Sequence, residues 1–572
     1  MNEQFDAVVI GSGVGGLTAA AYLAAAGRRT LVLEAYDLIG GSTHAFRRAG
    51  KWEFDVGVHY LADCGPDGDI PAILRGVGLG EVVRFVELDP TGFDRIVVPG
   101  ATVAVPRGWD NFRAALCAAF PAERPAIDHV TGILERLGGA ANQATSPRST
   151  WTLATSGLRA GLAARWSLRP LTHLLDSVPM SRALRTVLTV HFETYSTPPN
   201  RVPAVVHAVA LNTLLTTGAW YPAGGGQVLA ARLGQAIVAN GGEIRTRNRV
   251  RRIEVEAGAV RGVRLDDGTC IDAPIVVSNA DIKKTFTDLV DARHLRRRTR
   301  RRFTKYRMSL PYFNSYLGVN IDLRAASPQC NYFVAPTTDP IEDILAELEN
   351  ATIPVETRVT RAAQRMPIYI HLSSVKDPDN PRTAPPGGTS VEVMGAVPAA
   401  PELWGLHSWP IDASYQQNPE YLRLKNVWTD IMVERLLRVF PQAEGHIVWR
   451  EAATPFTQSR FTTATDGAGY GLRMSLNQFG PLRPGTRTEI DGLYLAGGSY
   501  SWGPTVSGAM LSGIHAAGSI LGEDLYARAK RGEVMGNRLD DLVEGTEFDA
   551  LQTAKRLAAR RTRRTRRVVR VG

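Results

Sequence analysis

The sequence predicts an α/β protein in which a discontinuous Rossmann-like domain is interrupted by an inserted α+β domain. Three observations predict this fold. Residues 5–35 have the pattern of a strand, a glycine-rich turn, a helix and a second strand, which is the start of a βαβ unit. Residues 222–285 contain a glycine turn, a helix and several β-branched runs, and residues 485–525 add another strand, glycine turn and helix. Since these stretches are far apart, the residues between them must form the second domain.

The first stretch has the pattern of a dinucleotide-binding turn. A short apolar run leads into Gly11-Ser12-Gly13-Val14-Gly15-Gly16, and an alanine-rich helix follows. We expect Gly11 to make the tight turn, Gly13 to let the backbone approach a pyrophosphate, and Gly16 to let helix and strand pack closely. The helix N-terminus offers free N–H groups and a partial positive charge to the phosphates. Glu34 ends the second strand, where its carboxylate can accept hydrogen bonds from ribose hydroxyls.

A glycine-rich turn alone is weak evidence, because such turns also occur where no nucleotide binds. Here the strand, the glycines, the helix and the acid all fall in register, so we predict an adenine dinucleotide. A second glycine pair, Gly40-Gly41, follows the acid. A nicotinamide dehydrogenase does not need this pair. A flavin does, because the chain must run along the pyrophosphate towards the isoalloxazine ring.

At this point the sequence resembles the FAD-dependent amine oxidase and phytoene desaturase superfamily, in which a glycine pair follows the acid. The run Phe54-Asp55-Val56-Gly57-Val58-His59-Tyr60 resembles the branch of carotenoid isomerases and all-trans-retinol 13,14-reductases (retinol saturases). Members of that branch carry GGxxHxF followed by FDxGxHY. The resemblance implies FAD as the cofactor and a domain arrangement like that of amine oxidases and phytoene desaturases.

The resemblance also implies which residues hold FAD. The strand that begins at Val250 is expected to offer backbone hydrogen bonds to the adenine, and the C-terminal motif is expected to contact the flavin through Thr505 and Val506. At Gly498 the family often has Gln or Asp, so we expect the ribitol contact to come from Ser499, a backbone group or water. The complete predicted site is Gly11, Gly13, Gly15, Gly16, Glu34, Ala35, Gly40, Gly41, Ser42, Thr43, His44, Val250, Gly497, Gly498, Ser499, Thr505 and Val506.

The motifs divide the chain into six segments. We assign residues 1–105, 222–285 and 485–525 to the FAD-binding domain. Residues 106–221, which are mostly helical in pattern, and residues 286–484 are assigned to the substrate domain. Residues 526–572 are predicted to be a basic C-terminal tail.

The resemblance implies hydride transfer at flavin N5 on a carbon–carbon bond of a hydrophobic polyene or isoprenoid, with saturation, desaturation and isomerisation all open. If a double bond is reduced, one carbon takes a hydride and the other needs a proton. We name His59 and Tyr60 as candidate catalytic residues, although His59 can equally be a structural residue beneath the flavin. Tyr195 and Tyr221 are further donor candidates that can also line a substrate tunnel. No paired nucleophile and base and no metal-ligand spacing stand out, so neither hydrolysis nor a metal site is predicted.

Composition agrees with a large globular enzyme. The 572 residues are 44% hydrophobic and 21% charged, which is ordinary for such proteins. The four cysteines are scattered without a CxxC pair, which predicts reduced thiols and a cytoplasmic setting. The chain enters its first strand at once, so no signal peptide is predicted. No run approaches the roughly 20 apolar residues of a spanning helix, and residues 202–220 are predicted to form a buried helix.

The net charge of +10 is concentrated near the C-terminus. Nine cations and no acid lie between Lys555 and Arg570, so the rest of the chain is nearly neutral. A solvated tail is one interpretation, and no recognition motif supports nucleic acid. We favour peripheral contact with an anionic membrane, which a second cluster, Arg293 to Arg302, can share.

We therefore predict an FAD-dependent oxidoreductase that acts on CH–CH groups of a hydrophobic small molecule. Two alternatives stay open. One is an escort protein of the same fold for a prenylated or lipid partner, which would bind no flavin. The other is an FAD-dependent amine oxidase.

Overall fold

The computed structural model describes residues 3–80, 82–145, 161–409, 412–501, 503–539, 541–542 and 545–558. Within these residues the strands form five sheets. Most of the cationic tail, from residue 559 onwards, lies outside the described residues.

The first sheet has five parallel strands, and it draws them from all three predicted stretches. Their spatial order is Glu243–Arg245, Thr30–Leu33, Ala7–Ile10, Ile275–Ser278 and Leu493–Leu495. Every residue of the two strands nearest the N-terminus in this sheet is buried, as expected when both faces of a parallel sheet are covered. The helices Val14–Ala25, Gln227–Ala239 and Val506–Leu521 pack together beside it. The predicted discontinuous Rossmann-like fold is confirmed.

A smaller sheet covers the other face of the parallel one. Its strands are Glu3–Gln4, Cys270–Asp272, Ala259–Leu265 and Val250–Glu256. Val8 and Leu31 of the parallel sheet share a hydrophobic core with Ile253 and Val263. The two sheets therefore bury one another.

The third sheet has seven mostly antiparallel strands and carries the inserted domain. In spatial order they are Ile447–Ala453, Tyr312–Val319, Thr389–Ala396, Ile368–His371, Asn331–Val334, Asp94–Val98 and Ala101–Val105. The last two correct the predicted boundary at residue 105, because they pair with this sheet and not with the parallel one. Their partner, Asn331–Val334, lies more than two hundred residues away, so local sequence contains no signal for the pairing.

Two small sheets connect the layers. One pairs Ala45–Arg48 with Trp52–Asp55, and the other orders Leu61–Ala62, Ala219–Pro222 and Phe85–Glu87. The predicted helix over 202–220 is shorter, Ala204–Thr217, because Gly218 ends it and a strand follows. The remaining helices are Asp69–Gly76, Trp109–Ala119, Arg124–Thr145, Leu171–Leu175, Arg182–Thr189, Ile282–Lys284, Arg297–Lys305, Ile341–Glu349, Val355–Arg365, Ser373–Lys376, Pro419–Val439, Pro455–Thr462 and Leu525–Lys530.

Packed structure continues beyond residue 525, where the last FAD-binding segment is predicted to end. Helix 550–558 buries Ala554 and Leu557 in the core around the helix Gln227–Ala239. All four cysteines are free thiols. Among the described residues no helix is long and apolar enough to cross a membrane.

Candidate active site

One cavity of about 1030 Å³ joins the parallel sheet to the seven-stranded sheet. At one end it is lined by residues that follow the carboxyl ends of the parallel strands, among them Gly11, Glu34, Asn279 and Gly497. That edge is where open α/β sheets bind their ligands. At the other end the lining comes from the inserted domain. The cavity therefore connects the predicted cofactor site to the predicted substrate domain.

The first glycine turn has the backbone geometry that the sequence predicts. Gly11 has a φ of +89°, which favours glycine. A Cβ on Gly16 would overlap the carbonyl oxygen of Gly11. Gly16 is thus a packing residue, and unlike the other predicted site residues it does not line the cavity. The following helix begins at Gly13 with no side-chain cap and no acid in its first turn, so its N–H groups are available to an anion.

Glu34 is held ready at the cavity wall. Its Oε2 accepts hydrogen bonds from the backbone N–H of Ser12, at 2.9 Å, and from the Ser12 hydroxyl, at 2.6 Å. Its Oε1 accepts one from the N–H of Tyr36 at 2.8 Å. A carboxylate with its orientation fixed in this way can accept further hydrogen bonds from ribose hydroxyls at little entropic cost.

The second glycine pair lies directly against the first turn. The N–H of Gly40 donates to the carbonyl of Ser12 at 3.0 Å, and φ is +128° at Gly40 and +57° at Gly41. His44 Nδ1 contacts the carbonyl of Gly41. Burial lowers the pKa of His44, so this ring is neutral. The adjoining predicted residues Ala35, Ser42 and Thr43 also line the cavity.

The C-terminal motif closes the same end of the cavity. Gly497 has a φ of +111°, and its N–H donates to Ser512 Oγ at 2.7 Å. The helix that begins at Val506 is capped by the Thr505 side chain, which accepts from the N–H of Gly508 at 3.0 Å. Ser499 Oγ accepts from the N–H of Leu472 at 3.3 Å. Gly498, and Val250 on the far side of the cavity, complete the predicted set.

Asn279 joins the two motifs, and the sequence prediction missed it. A Cβ on Gly13 would come 2.7 Å from Asn279 Nδ2, and one on Gly15 would come 2.9 Å from Asn279 Oδ1 and 2.8 Å from the N–H of Gly497. The signal was its place directly after the strand Ile275–Ser278. Bare glycine backbone, an unshielded helix N-terminus and an oriented carboxylate meet in one cavity. The residues present therefore fit an adenine dinucleotide with a flavin.

The two predicted catalytic residues lie in the cavity wall beyond this cradle. His59 Nδ1 lies 3.0 Å from Glu392 Oε2, and 11% of the ring is exposed. Burial and the nearby Lys376 lower the pKa of His59 to about 3, so the imidazole is neutral at pH 7. Tyr60 stacks on Tyr369 at 6.2 Å between ring centroids. Its buried hydroxyl has no hydrogen-bond partner among the described residues.

Tyr195 and Tyr221, the other donor candidates, lie in different places. Tyr195 lines the cavity, and its hydroxyl lies 2.8 Å from His207 Nδ1. Tyr221 does not line the cavity, because it is buried behind the wall, where its hydroxyl donates to Asp55 at 2.5 Å. Tyr221 therefore cannot donate directly to a molecule in the cavity.

Glu193 is a cavity residue that belongs to no sequence motif and was not predicted. It is buried, and its Oε2 has no partner among the described residues. Burial raises its pKa to about 8, against the weaker opposing effect of the N–H of Ala396. Glu193 is therefore a neutral carboxylic acid at pH 7, in a wall that is otherwise mostly apolar or aromatic.

Comparison with known proteins gives consistent results. Residues 14–318 match the family model described as flavin containing amine oxidoreductase. The human all-trans-retinol 13,14-reductase is 30% identical, in an alignment covering 92% of this chain and 87% of that protein. The chloroplastic prolycopene isomerase of Daucus carota is 28% identical over 90% of this chain and 80% of that protein. The crystal structure of an oxidoreductase from Methanosarcina mazei superposes with a TM-score of 0.60 at 18% identity, covering 90% of this chain and all of that one.

Proposed function

The chain belongs to the flavin-containing amine oxidoreductase family, and from that premise we propose that it oxidises or reduces a carbon–carbon bond of a hydrophobic polyene or isoprenoid. It is an FAD-dependent oxidoreductase. The proposal for the substrate is supported by relatives named for retinol and prolycopene that match along nearly the whole chain. When bound, FAD supplies a hydride donor or acceptor.

The observation that carries the proposal is the character of the cavity beyond the FAD cradle. There the lining is dominated by apolar and aromatic side chains, which are Tyr60, Tyr195, Val205, Val209, Leu214, Tyr312, Phe333, Tyr369, Met394, Tyr470 and Met474. Such a wall removes apolar substrate surface from water, at about 25 cal/mol per Å² buried. The space is continuous with the cradle, so a long apolar molecule can reach the flavin end while most of it stays buried.

The polar groups in this wall are few, and their protonation suits separate roles. Glu193 carries its proton at neutral pH and has a free oxygen, so it can donate a hydrogen bond to a hydroxyl or carbonyl end of the substrate. His59 is neutral, so it does not act as a stored imidazolium. Tyr60 offers a free hydroxyl. We propose that Glu193 binds the polar end of the substrate and that His59 and Tyr60 are the groups from which a proton reaches it.

The test is a visible absorbance spectrum of the purified protein, before and after anaerobic photoreduction and after addition of all-trans-retinol. We expect an oxidised-flavin spectrum, and we expect the retinoid to reoxidise the reduced enzyme. Reduction of the oxidised enzyme by putrescine, with no response to polyenes, would instead support amine oxidation. A colourless protein that FAD cannot reconstitute would contradict the assignment as an enzyme and support the escort alternative.

We also propose peripheral contact with an anionic membrane. The helix Arg297–Lys305 exposes six cations that form no ion pair within the described part of the chain, namely Arg297, Arg298, Arg300, Arg301, Arg302 and Lys305. Beside it Leu482 is 50% exposed, and its carbonyl accepts from Arg302 at 2.6 Å. Phe479 and Gly480 of the same segment line the cavity. A basic, partly apolar surface next to the cavity suits an enzyme whose substrate dissolves in lipid.

Flotation with vesicles of phosphatidylserine and phosphatidylcholine tests this contact. Changing Arg297, Arg298, Arg300 and Arg301 to Gln should lower binding at low salt, because each cation near such a surface contributes about 1 kcal/mol. The matched control changes four arginines on another surface, Arg361, Arg423, Arg438 and Arg450, which all have acidic partners. Deletion of residues 559–572 tests the tail separately. Equal flotation of all four proteins would dismiss the proposal.

A further inference from the structure

Three buried polar atoms converge behind the cavity wall. They are His59 Nδ1, His371 Nε2 and Glu392 Oε2; none makes a hydrogen bond of normal geometry among the described residues, although His59 Nδ1 lies 3.0 Å from Glu392 Oε2. One ring nitrogen of each histidine and one oxygen of Glu392 lie within 4.8 Å of one another. Buried polar atoms are nearly always satisfied, so these three must share something: a metal ion, or a proton with the water that carries it.

Lys376 decides between these possibilities. Its Nζ contacts three groups, which are the carbonyl of His59 at 2.8 Å, Asn331 Oδ1, and His371 Nδ1 at 2.6 Å. In its ammonium form Lys376 has three donors and no acceptor, so His371 Nδ1 accepts from it. The ring proton of neutral His371 is then on Nε2, where it can be donated within the cluster but blocks metal ligation. With Lys376 protonated, the cluster therefore shares protons.

Burial keeps a proton on Glu392, against the opposing effect of the N–H of Asp55 and of Lys376. Its Oε1 accepts from the N–H of Asp55 at 2.9 Å. The Asp55 carboxylate in turn accepts from Tyr221 at 2.5 Å and from the N–H of Gly226 at 2.8 Å. Burial raises the pKa of Glu392 to about 8, and burial together with the Glu392 charge raises that of Asp55 to about 7.

Asp94 and His191 are titratable groups on the side of Lys376 away from Glu392. Asn331 Nδ2 donates to Asp94 Oδ1 at 2.7 Å, and His191 Nε2 lies 3.0 Å from the other oxygen of Asp94. Burial lowers the pKa of Lys376 to about 7, against the opposing effect of Asp94 and the other acids. Lys376 and Glu392, on either side of His371, therefore exchange protons near neutral pH although both side chains are buried.

His59 is the member of the cluster that reaches the cavity. Its Nδ1 is buried beside Glu392, and the ring borders the cavity, which leaves Nε2 on the cavity side. A neutral imidazole accepts at one nitrogen while it donates from the other. His59 can therefore pass a proton through the wall without holding a charge.

We propose that Glu392 stores the proton used in the reaction, that His59 hands it to the substrate, and that Lys376 restores it through His371. The substrate step rests on the proposed function. In the reducing direction one C=C bond becomes a single bond. One carbon takes a hydride, with its electron pair, from the reduced cofactor, and the other takes the proton from His59 Nε2. Glu392 then gives its proton to His59 Nδ1, so that His59 is left neutral. Lys376 passes a proton through His371 to Glu392. Solvent finally reprotonates Lys376. In the oxidising direction each transfer runs in reverse.

Infrared spectroscopy of the oxidised holoenzyme tests whether Glu392 holds a proton, and it needs no substrate. Wild-type protein at pH 6.5 should show carbonyl bands of protonated carboxylic acids, shifted in D₂O, and E392Q should lose the band of Glu392 while that of Glu193 remains. The control is E451Q. Glu451 and Glu392 lie opposite the same residue, Tyr316, on neighbouring strands, but Glu451 is 39% exposed and ion-paired. The band of Glu392 should persist in E451Q. An unchanged spectrum in E392Q would overturn the proposal.

Stopped-flow kinetics with all-trans-retinol test the proton transfer from Glu392 through His59 to the substrate. E392Q should slow single-turnover reoxidation of the reduced flavin at least tenfold. In K376M the rate of the first turnover should stay within twofold of the wild-type rate, and the steady-state rate should fall at least tenfold. The reason is that only the return of a proton to Glu392 is lost. Equal losses in both phases would mean a structural role and would overturn the relay. If retinol does not reoxidise even the reduced wild-type enzyme, the proposed substrate is wrong. The infrared result still tests whether Glu392 stores a proton.

Elemental analysis of the purified holoenzyme is the last test. We expect no stoichiometric metal. One equivalent of zinc, iron or manganese that is lost in H371A and retained in E451Q would overturn the proton store and make the cluster a metal site.

Discussion

The two ends of the cavity are built from different parts of the protein. The FAD end is mostly backbone, formed by glycine turns at 11–16, 40–41 and 497–498 with a few side chains such as Glu34 and Asn279. The substrate end is built from side chains, and the polar cluster behind it joins Asp55, Lys376 and Glu392 from separate strands and helices. A backbone site requires glycine at fixed spacing and so leaves a local motif. A side-chain site requires only that distant residues meet, so Lys376 and Glu392 lie outside any motif and only Asp55 and His59 lie within one.

The largest effect is expected from a substitution in the glycine turn that forms the FAD end of the cavity. Gly16→Val should abolish FAD retention and destabilise the fold by about 3 kcal/mol or more, because its side chain would overlap the carbonyl of Gly11. The ratio of flavin to protein absorbance and the melting temperature measure the two losses. In Gly139→Val, the control, the new side chain enters open space on a helix. A flavin-loaded Gly16→Val protein would contradict the packing role.

A smaller effect is expected from a change at Glu34, the acid at the end of the second strand of the glycine motif. Glu34→Ala should weaken FAD binding about 10- to 100-fold, since a hydrogen bond to a charged group contributes about 1.5–3 kcal/mol. Fluorescence titration of the apoprotein with FAD gives the affinity. Asp37→Asn, at an exposed acid paired with Arg247, should change it less than twofold. If both variants bound FAD equally well, the ribose role of Glu34 would be wrong.

Glu193, at the substrate end of the cavity, should make the stability of the protein depend on pH. Burial raises the pKa of Glu193 from 4.5 to about 8, so between these values the folded state keeps a proton that the unfolded state has released. Its contribution to stability is complete below pH 4.5 and is lost as the pH rises to about 8. The melting temperature of the wild type relative to Glu193→Gln should fall across that range, by the equivalent of roughly 5 kcal/mol, since one pKa unit is about 1.4 kcal/mol, and then level off. A flat difference would show an ionised Glu193.

The smallest expected effect concerns Tyr60. Its hydroxyl is buried without a partner in the described structure, so Tyr60→Phe should stabilise the fold by about 0.5 kcal/mol and leave FAD binding unchanged. Thermal melting of both proteins, with and without added all-trans-retinol, measures this. A loss of stability in Tyr60→Phe alone would mean that the hydroxyl does have a partner.

The same contrast explains what could be predicted from the sequence. All residues predicted for the FAD end except Gly16 line the cavity, and Gly11, Gly41 and Gly497 have the positive φ angles that glycine supplies. Asn279 was missed, since an asparagine after a strand has many possible functions. Its role depends on glycines that come from both ends of the chain.

The substrate end could be predicted only where it touches a motif. His59 and Tyr60 follow the glycine loop and were selected for that reason. Glu193, His371 and Lys376 lie in stretches with no motif, and their raised or lowered pKa values come from burial. Burial is a property of the finished fold. The strands 94–98 and 101–105 were placed in the wrong domain for a related reason, as their partner lies far along the chain.

The contact between Gly15 and Gly497 also sets the order of events during synthesis. The first glycine turn leaves the ribosome 497 − 15 = 482 residues before its packing partner. At about 5–20 residues per second this interval lasts roughly half a minute to a minute and a half. Until then the strand Ile275–Ser278 has an unpaired edge, because Leu493–Leu495 has not been made. The complete flavin site can therefore form only late in synthesis, and until then the first glycine turn lacks one of its walls.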